Sequence, residues 1–471
     1  MFSTLRKLYW YTSAYLRKHF GKIASATAFG VILFAFLLPL LTRIPQVKPT
    51  THIGIIGGYN FATLPINIQR QISRGLTTVA EDGSAVPDIA ERWSVEDEGK
   101  TYRFILKKDV RWQDGTLIKP DDISFNFQDT QIVATDNEIV FKLKEPFAPF
   151  PIVVSQPLFK EVKLPYLRFF QRKRIIALGE YSVRKVTYAD TIISELILDS
   201  PTDRIIYRFY LTEERAKTAF KRGNVDRILD LGSPEELATW PNVTITPQIH
   251  FDQYLGVFFN QNDPLFTKNI RQALAYATEK PTTIERAKSP MNLNSWAYLD
   301  GVKSYAYDLE RGVERVLDGI PASPLTINLT TSSRFEAEAE SIKGQWQLLG
   351  EKAYATCMTK SDIKDKNECE KVKITVNVLI TNFPDTNNYQ ALLIGQSIPN
   401  DPDQYGLWHS TQNTNFTFYK SPRVDVLLEN GRKTTDLTER KALYQEFQQF
   451  LVEDSPALFL RYLTSYNVQR I

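Results

Sequence analysis

Acidic residues are missing from the first 80 positions, where nine lysines and arginines precede Glu81. The rest of the chain carries 48 of the 57 basic residues against all 54 acids. The formal charge of +3 is therefore a property of the N-terminus, on a mildly acidic body. That balance excludes a nucleic-acid binder, which needs clustered Lys and Arg to neutralise phosphates. Histidine is scarce: His19, His52, His250 and His409 stand far apart, without zinc-ligand spacing or a partner cysteine. No phosphate-binding Gly-rich loop ending in Gly-Lys-Ser/Thr occurs, and no Gly-x-Ser-x-Gly elbow. Neither a cofactor nor a metal is expected, and an anchored hydrolase is the weakest reading. Cysteine is limited to Cys357 and Cys369, flanking a charged stretch, 358–368, that reads as a loop. Outside the cytoplasm they could close that loop as a disulfide; otherwise they are two free thiols.

Residues 23–41 (IASATAFGVILFAFLLPLL) are a run without charge. At a rise of about 1.5 Å per residue, such a helix nearly matches the hydrocarbon core of a bilayer. Five Lys/Arg precede it, with Tyr9, Trp10, Tyr11 and Tyr15 placed for the interface. The positive-inside rule puts residues 1–22 in the cytoplasm and residue 45 onward outside. A signal peptide would end in a small-x-small cleavage site, and a lipoprotein in a cysteine; neither follows. The expectation is a retained single-pass anchor, 1–45, in the cell membrane, carrying an extracytoplasmic body.

Beyond a short tether with Pro45 and Pro49, strand and helix patterns alternate without a fixed repeat. Residues 52–58 (HIGIIGG), 101–106 (TYRFIL), 138–143 (EIVFKL), 254–260, 325–329, 372–380 and 457–463 read as strands. Helices are expected over 66–75, from 120, and over 212–222, 267–278, 334–349, 424–431 and 437–453. Gly75 and Gly350 read as helix stops. This is α/β material in at least two lobes.

Five blocks in order resemble a known family. They are Gly75-Leu76 with 86–93 (VPDIAERW); 98–104 (EGKTYRF) with 108–116 (KDVRWQDGT) and 121–125 (DDISF); 254–260 (YLGVFFN) with 270–277 (IRQALAYA); Asp401-Pro402-Asp403 with Trp408; and 419–456. Together they resemble the extracellular solute-binding proteins of family 5, the oligopeptide, dipeptide and nickel-binding type serving ABC importers. The resemblance implies a two-lobed α/β fold of the periplasmic-binding-protein type, with a hinged cleft. It implies lobe I from 50–254 plus 441–471 and lobe II from 255–440. The extra subdomain, about 84–170, is expected to be reduced, because spacing after Phe127 is contracted. The implied partners are a peptide or other small solute, and permease and ATPase subunits on separate chains.

Peptide binders of the family place an aspartate for the peptide ammonium four residues before an Asp-Pro-type proline. Here that position is Ile398 and the preceding Trp position is Gly395. Asp401 or Asp403 is the candidate replacement. Tyr59 and Asn60, after the first strand, and Trp408, as an apolar platform, complete the candidate ligand contacts. Each also has a plain structural reading: a turn, a surface loop, a packed ring. The same fold could instead serve an anchored receptor or scaffold that binds a non-peptide ligand or a protein without transport.

Overall fold

The computed structural model describes residues 2–41, 48–166, 170–361 and 365–471, with side chains omitted at 2, 3, 5, 36–41, 163–166 and 170–174. The chain divides into two compact units: Met1–Thr50 with Thr202–Arg204, and Thr51–Pro201 with Ile205–Ile471. The first contains one helix, α1 (Phe2–Leu41). Among the described residues, no helix is long and apolar enough to cross a membrane. Part of the apolar run, 36–41, lies outside the described side chains.

The second unit is built on a ten-stranded mixed sheet. In chain order its strands are β1 (Thr50–Ile56), β2 (Ser182–Ala189), β3 (Ile192–Asp199), β4 (Arg204–Tyr210), β5 (Arg227–Leu231), β6 (Val243–Phe259), β7 (Leu325–Thr331), β8 (Ile374–Ile380), β9 (Ala391–Ser397) and β10 (Ala457–Arg470). Their spatial order is β2-β3-β4-β1-β5-β10-β6-β9-β7-β8. Strand β1 runs parallel to β5, and β7 parallel to β8 and β9.

Two strands are shared by both halves. The C-terminal part of β10 pairs with β5, and the C-terminal part of β6 pairs with β9. They pair with each other throughout, with register shifts between His250 and Tyr254 and between Leu255 and Gly256. Such irregularities bend a strand and free it from a strict ladder. The sheet is therefore divided at 250–256 and 459–463.

Separate cores lie on either side of that break. Tyr254, Phe258, Trp346, Trp408, Tyr444 and Phe459 belong to the core of the β6–β9 half. Ile53, Ile68, Leu196 and Tyr207 centre one core of the β1–β5 half, and Phe220, Ile228 and Val468 another. The helices α2 (Glu213–Lys221), α3 (Lys268–Ala277), α4 (Glu336–Thr359), α5 (Pro422–Lys433) and α6 (Leu437–Asp454) cover these faces. Buried residues of α6, Tyr444, Phe447 and Leu451, share the core of the β6–β9 half. A four-stranded antiparallel sheet, Ala90–Glu96, Thr101–Leu106, Glu138–Leu143 and Thr130–Ala134 in spatial order, forms a subdomain with its own core around Phe104, Phe141 and Phe150.

Several elements differ from the sequence reading. No α-helix begins at 120; only a 3-10 turn, Pro120–Asp122, forms. The β2–β4 strands are absent from that reading; they are mostly half-buried, with exposed positions in β2, and so carry no clean apolar alternation. Helix α4 runs through Gly350 to Thr359. A Cβ on Gly350 would lie 2.5 Å from the Ile374 backbone nitrogen, so glycine there admits the neighbouring strand. Cys357, at the end of α4, is bonded to Cys369 in a 3-10 segment, Lys366–Val372.

Candidate functional site

The carboxyl ends of parallel strands are where open α/β sheets place ligands. Both halves have such ends, and they face one groove of about 500 Å³. On one wall are Gly232, Ser233 and Glu235, just past β5, and Glu213 of α2. On the other are Ser333, Arg334 and Phe335, just past β7, and Glu338 of α4. The floor is Arg461, Leu463 and Thr464 of β10, opposite the register break.

Local hydrogen bonds fix most of these groups. Thr212 caps α2 by accepting from the Arg215 N–H at 3.3 Å. The Glu213 carboxylate then accepts from the Gly232 N–H at 3.1 Å. Lys217 is buried and reaches Glu235 at 2.7 Å and Glu214 at 3.3 Å. Although burial opposes it, these two carboxylates raise the Lys217 pKa. Arg461 pairs with Glu338 at 2.6 Å, tying the floor to the far wall. Arg334 differs: its guanidinium is exposed over the Phe335 ring, 5.4 Å from the centroid. Among the described residues no carboxylate lies within ion-pair distance of it.

Beside the floor, His250 of β6 contacts the adjacent strand β10 and, beyond it, β5. Its Nε2 lies 2.6 Å from Ser465 Oγ and 3.2 Å from Asp230 Oδ1. The Ser465 hydroxyl donates to the same carboxylate oxygen at 3.0 Å. The Asp230 hydrogen bond raises the His250 pKa, and His250 in turn lowers that of Asp230. This is no hydrolytic triad, in which the acid holds the second ring nitrogen. Here acid and serine share one nitrogen, Asp252 is 3.9 Å from the other, and Ser465 is only 4% exposed.

The sequence candidates fall in three places. Tyr59 is half-buried; its hydroxyl donates to the Ile56 carbonyl at 3.1 Å and its ring packs edge-on against Phe209. Burial, with a contribution from Asp230, raises its pKa. Asn60 accepts from the Ala62 and Thr63 N–H groups at 2.9 and 3.0 Å, a local turn on the exposed surface. Trp408 is fully buried, stacked on Phe258 and against Tyr419 and Phe459. Asp401 and Asp403 come together, each beside an arginine: Arg440 for Asp401 and Arg432, at 2.9 Å, for Asp403. Burial raises the Asp403 pKa. Asp401 and Arg440 border a second cavity, of about 210 Å³, walled by Trp93 and Tyr102 of the subdomain and by Trp296.

Sequence reasoning did not single out Glu213, Ser233, Arg334, Glu338 or Arg461. The available signal was weak: Gly-Ser-Pro and Ser-Ser-Arg turns directly after strands, where an α/β sheet would open its crevice.

A two-halved α/β sheet joined by two strands, with a groove across the junction, defines a hinged binding protein. The family described as bacterial extracellular solute-binding proteins, family 5 Middle, matches residues 84–132 and 130–416. The chain belongs to this family, whose members are solute-binding components of ABC importers. It is 24% identical to the periplasmic oligopeptide-binding protein OppA of Escherichia coli, over 83% of this chain and 81% of that one. It is 22% identical to the heme-binding protein A of Haemophilus influenzae, over 79% and 77%. Among solved structures, NikZ of Campylobacter jejuni in complex with Ni(L-His) superposes with a TM-score of 0.67 at 21% identity, covering 90% of this chain and 94% of that one.

Proposed function

We propose that the chain captures short peptides in the groove across the register break and presents them to an ABC permease. The observation that carries this reading is the pair of unlike charges on the two walls. Among the described residues, Glu213 on one wall is engaged only by a backbone N–H, and Arg334 on the other has no carboxylate within ion-pair distance. A zwitterionic peptide offers an ammonium to the first and a carboxylate to the second, and charge-assisted bonds are the strong ones. A groove of about 500 Å³ is of the size that encloses a small ligand. Binding across both walls would favour a closed arrangement, the form a permease recognises. Residues 23–41 anchor the protein to the membrane in this reading, with the body outside.

Native mass spectrometry of the purified protein tests it. A co-purified peptide, displaced by added di- or tripeptides, is the expected result. A haem, a metal chelate or a sugar in its place would reject the peptide reading while keeping the groove. Carbonate washing tests the anchor: the full chain should stay with membranes and leave only with detergent.

One observation favours a second reading. Ile398, at the position where peptide binders of the family carry an ammonium partner, is 6% exposed and donates its N–H to the Asp252 carbonyl at 2.7 Å. A ligand without a free amine, or a receptor role without transport, would suit such a site.

A further inference from the structure

A cluster of cations stands away from the groove, where the segment 279–308 packs against the start of β10. Lys280, Arg286, Lys288 and Lys303 line one small cavity with Tyr305 and residues 457–459. Its volume is about 10 Å³, room for a single water-sized particle. Two of the cations have acids: Lys288 pairs with Asp300 at 2.6 Å and Lys303 with Glu453 at 2.9 Å. Among the described residues, the other two have only carbonyls. Lys280 Nζ donates to Ala275, Thr278 and Tyr305 at 2.5, 2.7 and 2.9 Å. Arg286 donates to the carbonyls of Ala287, Phe459, Leu460 and Ser304.

These contacts conflict with the electrostatics. Three acceptors around Nζ demand three protons, so the geometry requires the ammonium form of Lys280. Burial, and then Arg286, push the Lys280 pKa well down. Burial likewise lowers Arg286 to about 10. Two desolvated like charges without an acid are expensive, and carbonyl dipoles leave their net charge in place. One compact anion among the four cations removes the conflict. It neutralises the excess charge and uses the donors that Lys303, Lys288 and Arg286 do not spend on protein.

We propose that this cavity is a binding site for a single compact anion of chloride size, holding the 279–308 segment against β10. Polyatomic anions such as sulfate exceed the space. The site is separate from the solute groove and does not depend on how that groove is read.

Bromide is the probe. Crystals of the full chain in detergent, grown with bromide, should show an anomalous peak in the cavity. Thermal unfolding should give a Tm a few degrees higher in bromide or chloride than in gluconate at matched ionic strength, saturating with halide concentration. Lys303→Met should abolish most of that increment while leaving the Tm in gluconate near the parent value. Should Lys303→Met not fold, Lys288→Met serves the same comparison. A Tm indifferent to halide, or density without an anomalous peak, would mean that a water fills the space and would overturn the proposal.

Discussion

Arg440 grips Asp401 with two near-parallel bonds, Nη1 to Oδ2 at 2.8 Å and Nη2 to Oδ1 at 2.5 Å, and both side chains are buried. Arg440 also donates Nε–H to the Gly431 carbonyl at 2.7 Å. Burial works against the guanidinium's charge, and Asp401 more than offsets it, so the Arg440 pKa is raised. The pair joins the Asp-Pro-Asp turn to α6. Removing one partner strands the other charge. Asp401→Asn should therefore cost about 3–5 kcal/mol in urea unfolding. The double variant Asp401→Leu with Arg440→Met should recover a large part of that loss. A double variant as unstable as the single one would show that packing, not the unpaired charge, sets the cost.

Arg334 is the corresponding test in the groove. Arg334→Gln should weaken binding of a free-acid peptide by roughly 10- to 100-fold, the range for a bond to a charged group. The C-terminally amidated form of the same peptide should bind parent and variant alike. Isothermal titration of both forms reads the difference, and equal losses for the two would remove Arg334 from the ligand.

His250 and Asp230 make stability at the hinge depend on pH in a fixed sense. The folded-state pKa of His250 is raised, so its contribution is complete below the ordinary histidine value, about 6.5, and is lost as pH rises through the raised value. That of Asp230 is lowered, so its contribution is complete above the ordinary carboxylate value, about 3.9, and is lost as pH falls through the depressed one. Urea midpoints of the parent should fall as pH climbs past the histidine range. In His250→Gln that fall should be absent, and an unchanged slope would assign the dependence elsewhere.

The disulfide closes a short loop, with Cys357 and Cys369 12 residues apart. Loops of about this length contribute about 3 kcal/mol by restricting the unfolded chain. Cys357→Ser with Cys369→Ser should lose about that much, and dithiothreitol should lower the urea midpoint of the parent alone.

Gly350 sets helix propensity against packing. Alanine gains about 1 kcal/mol over glycine inside a helix. Its Cβ would press on the backbone of Ile374, which cannot yield like a side chain. Gly350→Ala should therefore destabilise by about 1–3 kcal/mol, as overpacking does. A more stable variant in urea titration would show that β8 can retreat.

Much of the fold was legible because it is written in local periodicity. The strands Thr101–Leu106 and Glu138–Leu143 were legible from alternation and, in the first, from β-branched and aromatic residues. The helix Lys268–Ala277 followed from the 3, 4 spacing of Ile270, Ala273, Leu274 and Ala277; the structure adds its cap, Thr267, and that of Leu437–Asp454, Asp436. The family followed from blocks that encode the core, among them the buried Phe104 and Phe258. The groove was not legible. Glu213, Arg334 and Arg461 lie far apart in the chain, and nothing local distinguishes them from any solvated charge. They meet because β6 and β10 cross from one half of the sheet to the other, and that pairing is non-local. Asp401 shows the same division: its position beside Pro402 was plain in the sequence. That its carboxylate faces Arg440 was decided by the docking of α6, a contact across 39 positions that only the packed chain creates.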